Sequence, residues 1–446
     1  MRAREIDAAL DPGRLAAGWR GRAVAWLDGD GVGAQGRWSF VACEPVEVRA
    51  ACWGDPAPFA VLGGALARSG NTDGGEIDPA IVPAWIGHVA YDACWSAAEA
   101  LGLRRGPRMA RSSELPIARF ARYDAVVAFD RAEGRTWIVG DDEAAIARVE
   151  ARMHALEARP PEARATRVEA EDAAVHRAAI ERALEAIAAG EIYQVNLARR
   201  WTARLEGDAI ALFLAMRAAS PVPFGAYLEG GRWTVLARTM ERFLRWDATT
   251  RALETRPIKG TIARTGDDDR GEAKALLSDA KERAEHAMIV DLMRNDLGRV
   301  AETGSVRALS VMEVEPYAGL SHLVSTVRAT TRAGIDAEAI LGATFPPGSI
   351  SGTPKLRAIE IIEALERQPR GAYCGAIGHV DRAGGLSLAV AIRTATIEGE
   401  ELSYFAGGGL VEASVPDREV AETELKARVL LDALSALERG RAAGSR

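Results

Sequence analysis

Strand and helix signals are grouped along this chain rather than alternating with each other, and this grouping constrains the fold more than any other feature. Residues 1–150 alternate short apolar runs with Gly, Asp and Pro, as at Ala23–Leu27 and Tyr123–Phe129, which is typical of strands. Further strand signals lie at Tyr193–Trp201, Trp233–Trp246, Gly384–Glu398 and Leu402–Val411. Because helices do not follow the strands in turn, the pattern favours an α+β fold with mostly antiparallel sheets.

Three longer segments carry helix signals. Apolar residues recur at helical spacing over 173–189, and Gly190 is placed to end that helix. The other two helices are predicted over about 270–297 and about 417–437.

The chain is predicted to fall into two parts. A polar, proline-containing stretch, 158–172, is predicted to be a linker. It would join an N-terminal region, 1–157, to a second domain, 173–440, and residues 441–446 would form a tail.

Composition excludes several classes of protein. The chain has 446 residues, 48% of them hydrophobic and 27% charged, as in ordinary globular proteins. Its net charge of −7 argues against a nucleic-acid partner, and an anionic substrate would need local positive charge or a bound cation. No run of about 18 apolar residues exists, so no membrane association is expected. The four cysteines show neither a disulfide framework nor zinc spacing, which favours a cytoplasmic protein; they are Cys43, Cys52, Cys94 and Cys374.

Lys259 lies in an apolar, strand-like setting, between Ile258 and Gly260 and shortly after Pro257. The proline rigidifies the approach, and the glycine allows a turn directly after the lysine. Burial removes water from an amine and favours its neutral, nucleophilic form. Two interpretations follow: a nucleophilic lysine, or a strand-end lysine whose ammonium group reaches solvent.

Two predicted helices carry glutamates that share a face. Glu282 and Glu285 are three residues apart, and Glu419, Glu422 and Lys426 follow the same helical spacing. If the helices face each other, these carboxylates could hold Mg²⁺, which takes one or two carboxylates together with water and substrate oxygens. Paired glutamates are also common on solvated helix faces. The almost entirely apolar run after Glu285 favours a buried helix whose glutamates line a cavity.

Glycine-rich loops and two isolated basic residues are further candidates for a site. Residues 346–355 precede a predicted helix and 406–409 end a predicted strand, so that the backbone N–H groups of either loop could hold an anion. Each loop could equally be a simple turn. Arg393 is predicted to interrupt an apolar strand and would need an anionic partner. His322 fits either a core histidine or a catalytic one.

These segments, in this order, resemble the chorismate-utilising enzymes, the family of anthranilate synthase, aminodeoxychorismate synthase, isochorismate synthase and salicylate synthase. The resemblance covers most of residues 170–435, and it extends more loosely to Gly87–Asp92. The stretches that carry it are Gly190–Leu197, Arg256–Thr261, Glu285–Val300, His322–Arg328, Phe345–Lys355, Pro369–Gly378, Ala391–Thr394 and Tyr404–Lys426.

The resemblance implies a large sandwich of mostly antiparallel sheets in two subdomains, covered by helices. It implies chorismate as substrate and a Mg²⁺ ion held by Glu285 and Glu422, with Glu282 and Glu419 in support. The groups implied to bind the substrate are Gln194, Gly260, Thr261, Arg393, Gly407, Gly408, Gly409 and Lys426.

The resemblance also assigns chemistry to individual residues. His322 matches the active-site histidine of the family, and Glu241 matches its general acid, although Thr239-Met240 replaces the usual Ser-Pro before it. Gln194 stands where the water-adding members carry a lysine base. Lys259 stands where anthranilate synthases generally carry alanine, and in aminodeoxychorismate synthases this lysine is thought to attack chorismate.

The implied activity is therefore amination of chorismate at C4, which leads towards 4-aminobenzoate and folate. Ammonia would come from a separate glutamine amidotransferase subunit, since no glutaminase module is evident in the sequence. Two alternatives stay open: an anthranilate synthase component I, and a non-catalytic subunit of the family that binds a ligand or a partner.

Overall fold

The computed structural model describes the chain except for residues 7–9, 64–76, 97–112, 157–158, 264–270, 272–275, 318–319, 367 and 445–446. Within the described residues, two large antiparallel sheets are combined with helices. The predicted α+β class is therefore confirmed.

The strands are short in the first third of the chain and include longer members later. In chain order, the first half are β1 Arg2–Glu5, β2 Ala25–Asp28, β3 Trp38–Ala42, β4 Glu47–Ala51, β5 Pro83–Val89, β6 Ala118–Arg122, β7 Ala125–Asp130, β8 Arg135–Gly140, β9 Ala163–Ala170, β10 Gln194–Gly207 and β11 Phe224–Glu229. The remainder are β12 Trp233–Thr239, β13 Arg242–Trp246, β14 Ala252–Arg256, β15 Ile258–Ala263, β16 Arg307–Tyr317, β17 Leu320–Thr330, β18 Gly352–Thr353, β19 Ala376–Asp381, β20 Leu386–Val390, β21 Thr394–Glu398 and β22 Glu401–Leu410.

The described helices are mostly short, and the two longest carry the predicted acidic faces. They are α1 Pro12–Gly18, α2 Gly33–Gly36, α3 Glu143–His154, α4 Ala173–Ala188, α5 Ala209–Ala219, α6 Ala280–Gly298, α7 Ala337–Thr344, α8 Lys355–Glu366 and α9 Pro416–Gly444. Three 3₁₀ turns lie at Pro58–Leu62, Tyr91–Ala93 and Gly348–Ile350.

The two sheets share strands from both ends of the chain. The first has the order β1-β8-β7-β3-β2-β11-β12-β21-β22-β10-β18, with β9 also paired to β10. The second has the order β15-β17-β14-β13-β20-β19-β5-β6-β4, with β16 also paired to β17. N-terminal strands are thus hydrogen-bonded directly to C-terminal ones, β2 to β11 and β5 to β19.

The sheets pack face to face, and helices cover their outer faces. A core cluster that includes Phe40 and Val126 of the first sheet and Ile86 and Ile377 of the second fills the space between them. Outside the first sheet, α9 packs on β22 and on α5. Outside the second, α6 packs on β15 and β17. This arrangement confirms the predicted helix-covered sandwich.

Four predictions about elements need correction. The predicted linker contains β9, which pairs with β10, and most side chains of this strand are solvent-exposed, which explains its polar sequence. The predicted tail belongs to α9 as far as Gly444, and 445–446 lie outside the described residues. The helix predicted from about residue 270 is interrupted at Asp279. Residues 276–278 are helical, and α6 begins at Ala280, where the Asp279 carboxylate caps it by accepting a hydrogen bond from Glu282 N–H at 3.0 Å.

The fourth correction concerns Gly384–Glu398, which was predicted as one strand. The segment forms β20 in the second sheet and β21 in the first. Arg393 lies between these strands with φ 49°, and this left-handed backbone takes the chain from one sheet to the other. None of the helices in the described part of the chain is long and apolar enough to span a membrane.

Candidate active site

A bulge in β15 sets the direction of the Lys259 side chain. Lys259 pairs with Leu323 and Thr261 pairs with His322, so that Gly260 is an extra residue in the ladder, with φ 78°. A glycine adopts this left-handed conformation at low cost, and such a bulge redirects the neighbouring side chain. His322 Nδ1–H donates to the Gly260 carbonyl at 3.3 Å, which ties the bulge to β17. The side chain of Thr261 lies outside the described residues.

The Lys259 ammonium group meets residues from three other elements. Its Nζ lies 2.9 Å from Glu285 Oε2 on α6. A Cβ built on Gly409 of β22 would lie 3.1 Å from this Nζ and 2.8 Å from Gln194 Nε2 on β10. The site therefore forms where β15 of the second sheet approaches β10 and β22 of the first, and Gly409 leaves the room that these side chains need.

The pKa of Lys259 differs from the sequence prediction. Burial lowers it, but the carboxylates of Glu285, Glu282 and Glu422 outweigh burial and raise the pKa above its ordinary value. The prediction that burial makes this amine neutral is wrong for the ion-paired state. The lysine is a cation held among carboxylates.

The acidic faces of α6 and α9 both reach this region. A Cβ on Gly408 would lie 3.1 Å from Glu419 Oε2 and 3.6 Å from Glu422 Oε1. Lys426 Nζ lies 2.6 Å from Glu422 Oε1 and also donates to the Gly407 carbonyl at 2.8 Å. On the other side, Glu282 Oε2 would lie 3.2 Å from a Cβ on Gly260.

These carboxylates fit a divalent cation of the Mg²⁺ type. In this structure the ammonium groups of Lys259 and Lys426 lie against Glu285 and Glu422, which shows that cations are favoured there. Across the described ranges, no three His, Cys, Asp or Glu side chains are gathered into a preformed metal site. Mg²⁺ commonly takes only one or two protein carboxylates, so one glutamate from each helix is within its usual coordination.

Glu241 is a carboxyl group whose pKa burial raises into the neutral range. It lies in the turn between β12 and β13 and is only 5% exposed. Burial raises its pKa to about 7, although hydrogen bonds from the Ser349 side chain and Ile258 N–H, and the charge of Lys259, act in the opposite direction. Thr239 Oγ1 accepts a hydrogen bond from Glu241 N–H at 3.3 Å, so this turn is fixed without the proline.

His322 and Arg393 lie close enough to influence each other. Burial, with the charge of Arg393 as a smaller contribution, lowers the pKa of His322 to about 4, so the imidazole is neutral at pH 7. Arg393 Nη1 donates to Ser220 Oγ at 3.5 Å. Within the described part of the chain, no carboxylate forms an ion pair with Arg393, which leaves this cation available to an anionic ligand.

Gln194 is completely buried, and neither atom of its side-chain amide has a hydrogen-bond partner among the described residues. Such groups are costly unless a ligand or water satisfies them. The amide faces Gly409, and therefore the space in front of Lys259.

Sequence reasoning missed Ser349. It marked the loop 346–355 as a possible anion-binding loop, but the structure uses this serine to hydrogen-bond the carboxyl group of Glu241. The signal was the serine within a glycine-containing loop; its partner lies about a hundred residues earlier in the chain, and only the fold brings the two together.

A model of the chorismate-binding enzyme family matches residues 51–432. The chain belongs to the chorismate-binding enzyme family. Among the relatives of this family member, anthranilate synthase component 1 of Aquifex aeolicus is 42% identical over 261 residues, 58% of this chain and 52% of the relative. Aminodeoxychorismate synthase component 1 of Escherichia coli is 43% identical over 252 residues, 56% of this chain and 55% of the relative.

These matches span about half the length of each relative, and the two activities occur at almost the same identity. The fold extends further than the sequence match. Anthranilate synthase component I from Streptococcus pneumoniae superposes with a TM-score of 0.75 at 27% identity, over 88% of this chain and 92% of that one. The menaquinone-specific isochorismate synthase of Escherichia coli shares the fold, with a TM-score of 0.72 at 20% identity over 97% and 94% of the two chains.

Proposed function

We propose that this chain aminates chorismate at C4, as an aminodeoxychorismate synthase component I. The observation that carries the proposal is the position of Lys259. Its Nζ faces the same space as Gln194 and Gly409, between the acidic helix α6 and strand β22. An amine at this point can reach a ring bound against Gly407–Gly409 of β22. The alanine that anthranilate synthases generally carry at this position could not act as a nucleophile.

Charge complementarity supports chorismate as the ligand. Its two carboxylates need cationic partners. Arg393 is one candidate, and Lys426 would be a second once Mg²⁺ took over its partner Glu422. Glu285 and Glu422 would hold Mg²⁺, supported by Glu282 and Glu419. When bound, Mg²⁺ would neutralise these carboxylates and bind a substrate carboxylate.

In the proposed reaction, Lys259 acts as a nucleophile and Glu241 as a general acid. Lys259 is a cation in its ion-paired state. It must first lose a proton to solvent; its free amine then forms a bond to C2, the ring double bonds shift, and the C4–O bond breaks. The protonated carboxyl of Glu241 gives its proton to the departing hydroxyl, which leaves as water, and its pKa of about 7 suits this role. Ammonia then bonds to C4, the C2–Nζ bond breaks, and the proton that ammonia loses restores the acid.

One feature of the site favours ammonia over water. Gln194 has no basic group that could remove a proton from water, and ammonia needs no such activation. A glutamine amidotransferase subunit is the proposed source of ammonia, and ammonium salts can replace it in an assay.

A product assay tests the proposal. The chain is incubated with chorismate, Mg²⁺ and ammonium at mildly alkaline pH, an aminodeoxychorismate lyase is added, and the products are separated by chromatography. The proposal expects 4-aminobenzoate from the natural chain and none from Lys259→Ala. Lys259→Arg is the matched control for fold and charge, because arginine keeps the cation beside Glu285 but is no nucleophile at this pH. Anthranilate as the product would establish the C2-aminating alternative, and chorismate binding without turnover would favour the non-catalytic one.

The metal proposal has a separate test. Calorimetry measures the affinity for chorismate with and without Mg²⁺. Glu285→Gln and Glu422→Gln should each abolish the increase in affinity that Mg²⁺ produces. Glu424→Gln is the control, since Glu424 lies on the same helix, is 62% exposed and pairs with Arg199. If chorismate binding still depends on Mg²⁺ in both variants, the assignment of Glu285 and Glu422 as metal ligands is wrong.

A further inference from the structure

Strand β10 carries a second buried amide beside Gln194. Asn196 is only 8% exposed, and its side-chain oxygen Oδ1 has no hydrogen-bond partner among the residues that the structure describes. A buried carbonyl oxygen without a donor costs about 1–3 kcal/mol. Two such amides two residues apart in one strand therefore require an explanation.

The register of the sheet shows which way Asn196 faces. Residues i and i+2 of a strand lie on the same face, so Asn196 and Gln194 share one. Asn196 is also directly opposite Gly409 on β22, and directly opposed residues of an antiparallel pair point to the same side. A Cβ on Gly409 would lie 3.1 Å from Lys259 Nζ. The Asn196 amide is therefore on the side of the sheet that faces Lys259.

The backbone of Asn196 is held firmly. Its N–H donates to the Ser351 carbonyl at 2.9 Å, and its carbonyl accepts from the buried guanidinium of Arg370 at 2.7 Å. Arg370 also donates to the Ile350 carbonyl at 3.2 Å. The amide is thus presented from a fixed strand, which favours a binding role over chance exposure of a mobile side chain.

The unpaired atoms define the chemistry of the missing ligand. Three atoms are unpaired: the donor Gln194 Nε2 and the acceptors Gln194 Oε1 and Asn196 Oδ1. The two acceptors require a ligand that brings at least two donors. A carboxylate or ether oxygen of the substrate brings none. Ammonia brings three N–H donors and no charge, and its lone pair stays free when its hydrogens are bound.

We propose that Asn196 is a further substrate-contacting residue, whose Oδ1, together with Gln194 Oε1, receives ammonia next to Lys259. The proposal deepens the proposed function and rests on amination, though not on whether C4 or C2 is the carbon aminated. The two oxygens orient the nitrogen lone pair away from β10 and towards the ring, and the C–N bond then forms as described above.

The test measures how the rate depends on each substrate separately. Asn196→Leu removes both amide heteroatoms and keeps a side chain of similar size, and Asn196→Ala is a second, smaller variant. Asn295→Leu is the control, because it makes the same change at an exposed position of α6. Total aminated product, 4-amino-4-deoxychorismate plus anthranilate, is measured against ammonium at saturating chorismate, and against chorismate at saturating ammonium. Thermal unfolding and calorimetric chorismate binding check that each variant is folded.

Loss of one neutral hydrogen bond should raise the KM for ammonium about 5- to 20-fold in both Asn196 variants, with the KM for chorismate changed less than about twofold. Asn295→Leu should change neither. An unchanged KM for ammonium, or equal rises in both KM values, would overturn the ammonia site while leaving the proposed function intact. Anthranilate as the product would overturn C4 amination but leave this inference standing. A natural chain that forms neither product from ammonium would overturn both.

Discussion

The ammonium group of Lys259 lies 2.9 Å from a carboxylate oxygen of Glu285, and this pair sets the charge state of the amine. Burial alone would lower the pKa of Lys259, and Glu285 is the largest influence that raises it. In protein without metal, Glu285→Gln should therefore lower the pKa of Lys259 and increase its labelling by acetic anhydride at neutral pH. Mass spectrometry of the labelled peptide across pH gives the shift. Glu424→Gln should leave the pKa of Lys259 unchanged. Equal labelling of Lys259 in the two variants would contradict the influence of Glu285 on this amine.

The raised pKa of Glu241 should be visible in protein stability. The group ionises near pH 4.5 in an unfolded chain and near 7 in the folded one, so the folded state loses stability as pH rises through this window. Glu241→Gln cannot ionise, and between pH 4.5 and 8 it should gain up to about 3 kcal/mol relative to the natural chain. Urea unfolding at both pH values measures the gain. Parallel pH profiles for the two proteins would show that Glu241 is not the titrating group.

Ser349 should act on activity only through Glu241. Its hydrogen bond lowers the pKa of that carboxyl, so Ser349→Ala should raise this pKa and move the alkaline limb of the pH–rate profile to higher pH. Ser351→Ala is the matched control, because Ser351 Oγ donates to the Pro347 carbonyl at 3.0 Å. It should change stability and leave the pH profile in place. If the pH–rate profile moves equally in both variants, the substitutions act through the conformation of the loop 346–355 and not through the hydrogen bond to Glu241.

A buried ion pair holds the loop 346–355 in position. Lys355 Nζ lies 2.6 Å from Asp296 on α6 and also donates to the Thr344 and Pro346 carbonyls. Asp296→Leu leaves the lysine charge uncompensated and should cost about 3–5 kcal/mol of unfolding free energy. Arg294→Ala removes an exposed pair with Asp291 and should cost less than about 1 kcal/mol. Urea unfolding compares the two, and similar costs would contradict the structural importance of the pair.

Gly409 should be intolerant of a side chain for a reason of function rather than fold. A methyl group there would lie 2.8 Å from Gln194 Nε2 and 3.1 Å from Lys259 Nζ, and both are ends of flexible side chains. Gly409→Ala should fold but weaken chorismate binding by at least about tenfold, because both groups are displaced. Gly298→Ala, where the added carbon meets no atom within 4 Å, is the control for calorimetric binding.

The sequence predicted regular elements well where a single local pattern decided them. The helix expected over 173–189 is Ala173–Ala188, because its apolar spacing and the following Gly190, with φ 75°, are sufficient. Strand β9 was missed because most of its side chains are solvent-exposed, so that it lacks the apolar alternation of a buried strand. The split of Gly384–Glu398 was missed because both halves are extended and only the backbone at Arg393 separates them.

The active site was likewise predicted only where a local pattern was sufficient. Motif positions such as Lys259, Glu241 and Glu285 were recognisable in the sequence, but their charge states depend on neighbours far away along the chain. Burial alone predicted a neutral lysine, whereas the carboxylates that the fold places around it reverse that result. Asn196 carries no distinctive local pattern, and its importance becomes visible only from its burial and the register of β10. The importance of Ser349 becomes visible only from its hydrogen bond to Glu241.

The interleaving of early and late strands has a consequence for how the chain is made. While the N-terminal strands β2 and β5 leave the ribosome, their hydrogen-bonding neighbours β11 and β19 have not yet been synthesised. Such distant pairings fold slowly and leave strand edges exposed in the meantime. The two sheets can therefore close only late in translation, and a nascent chain that stops before β19 exposes an open edge to chaperones and proteases.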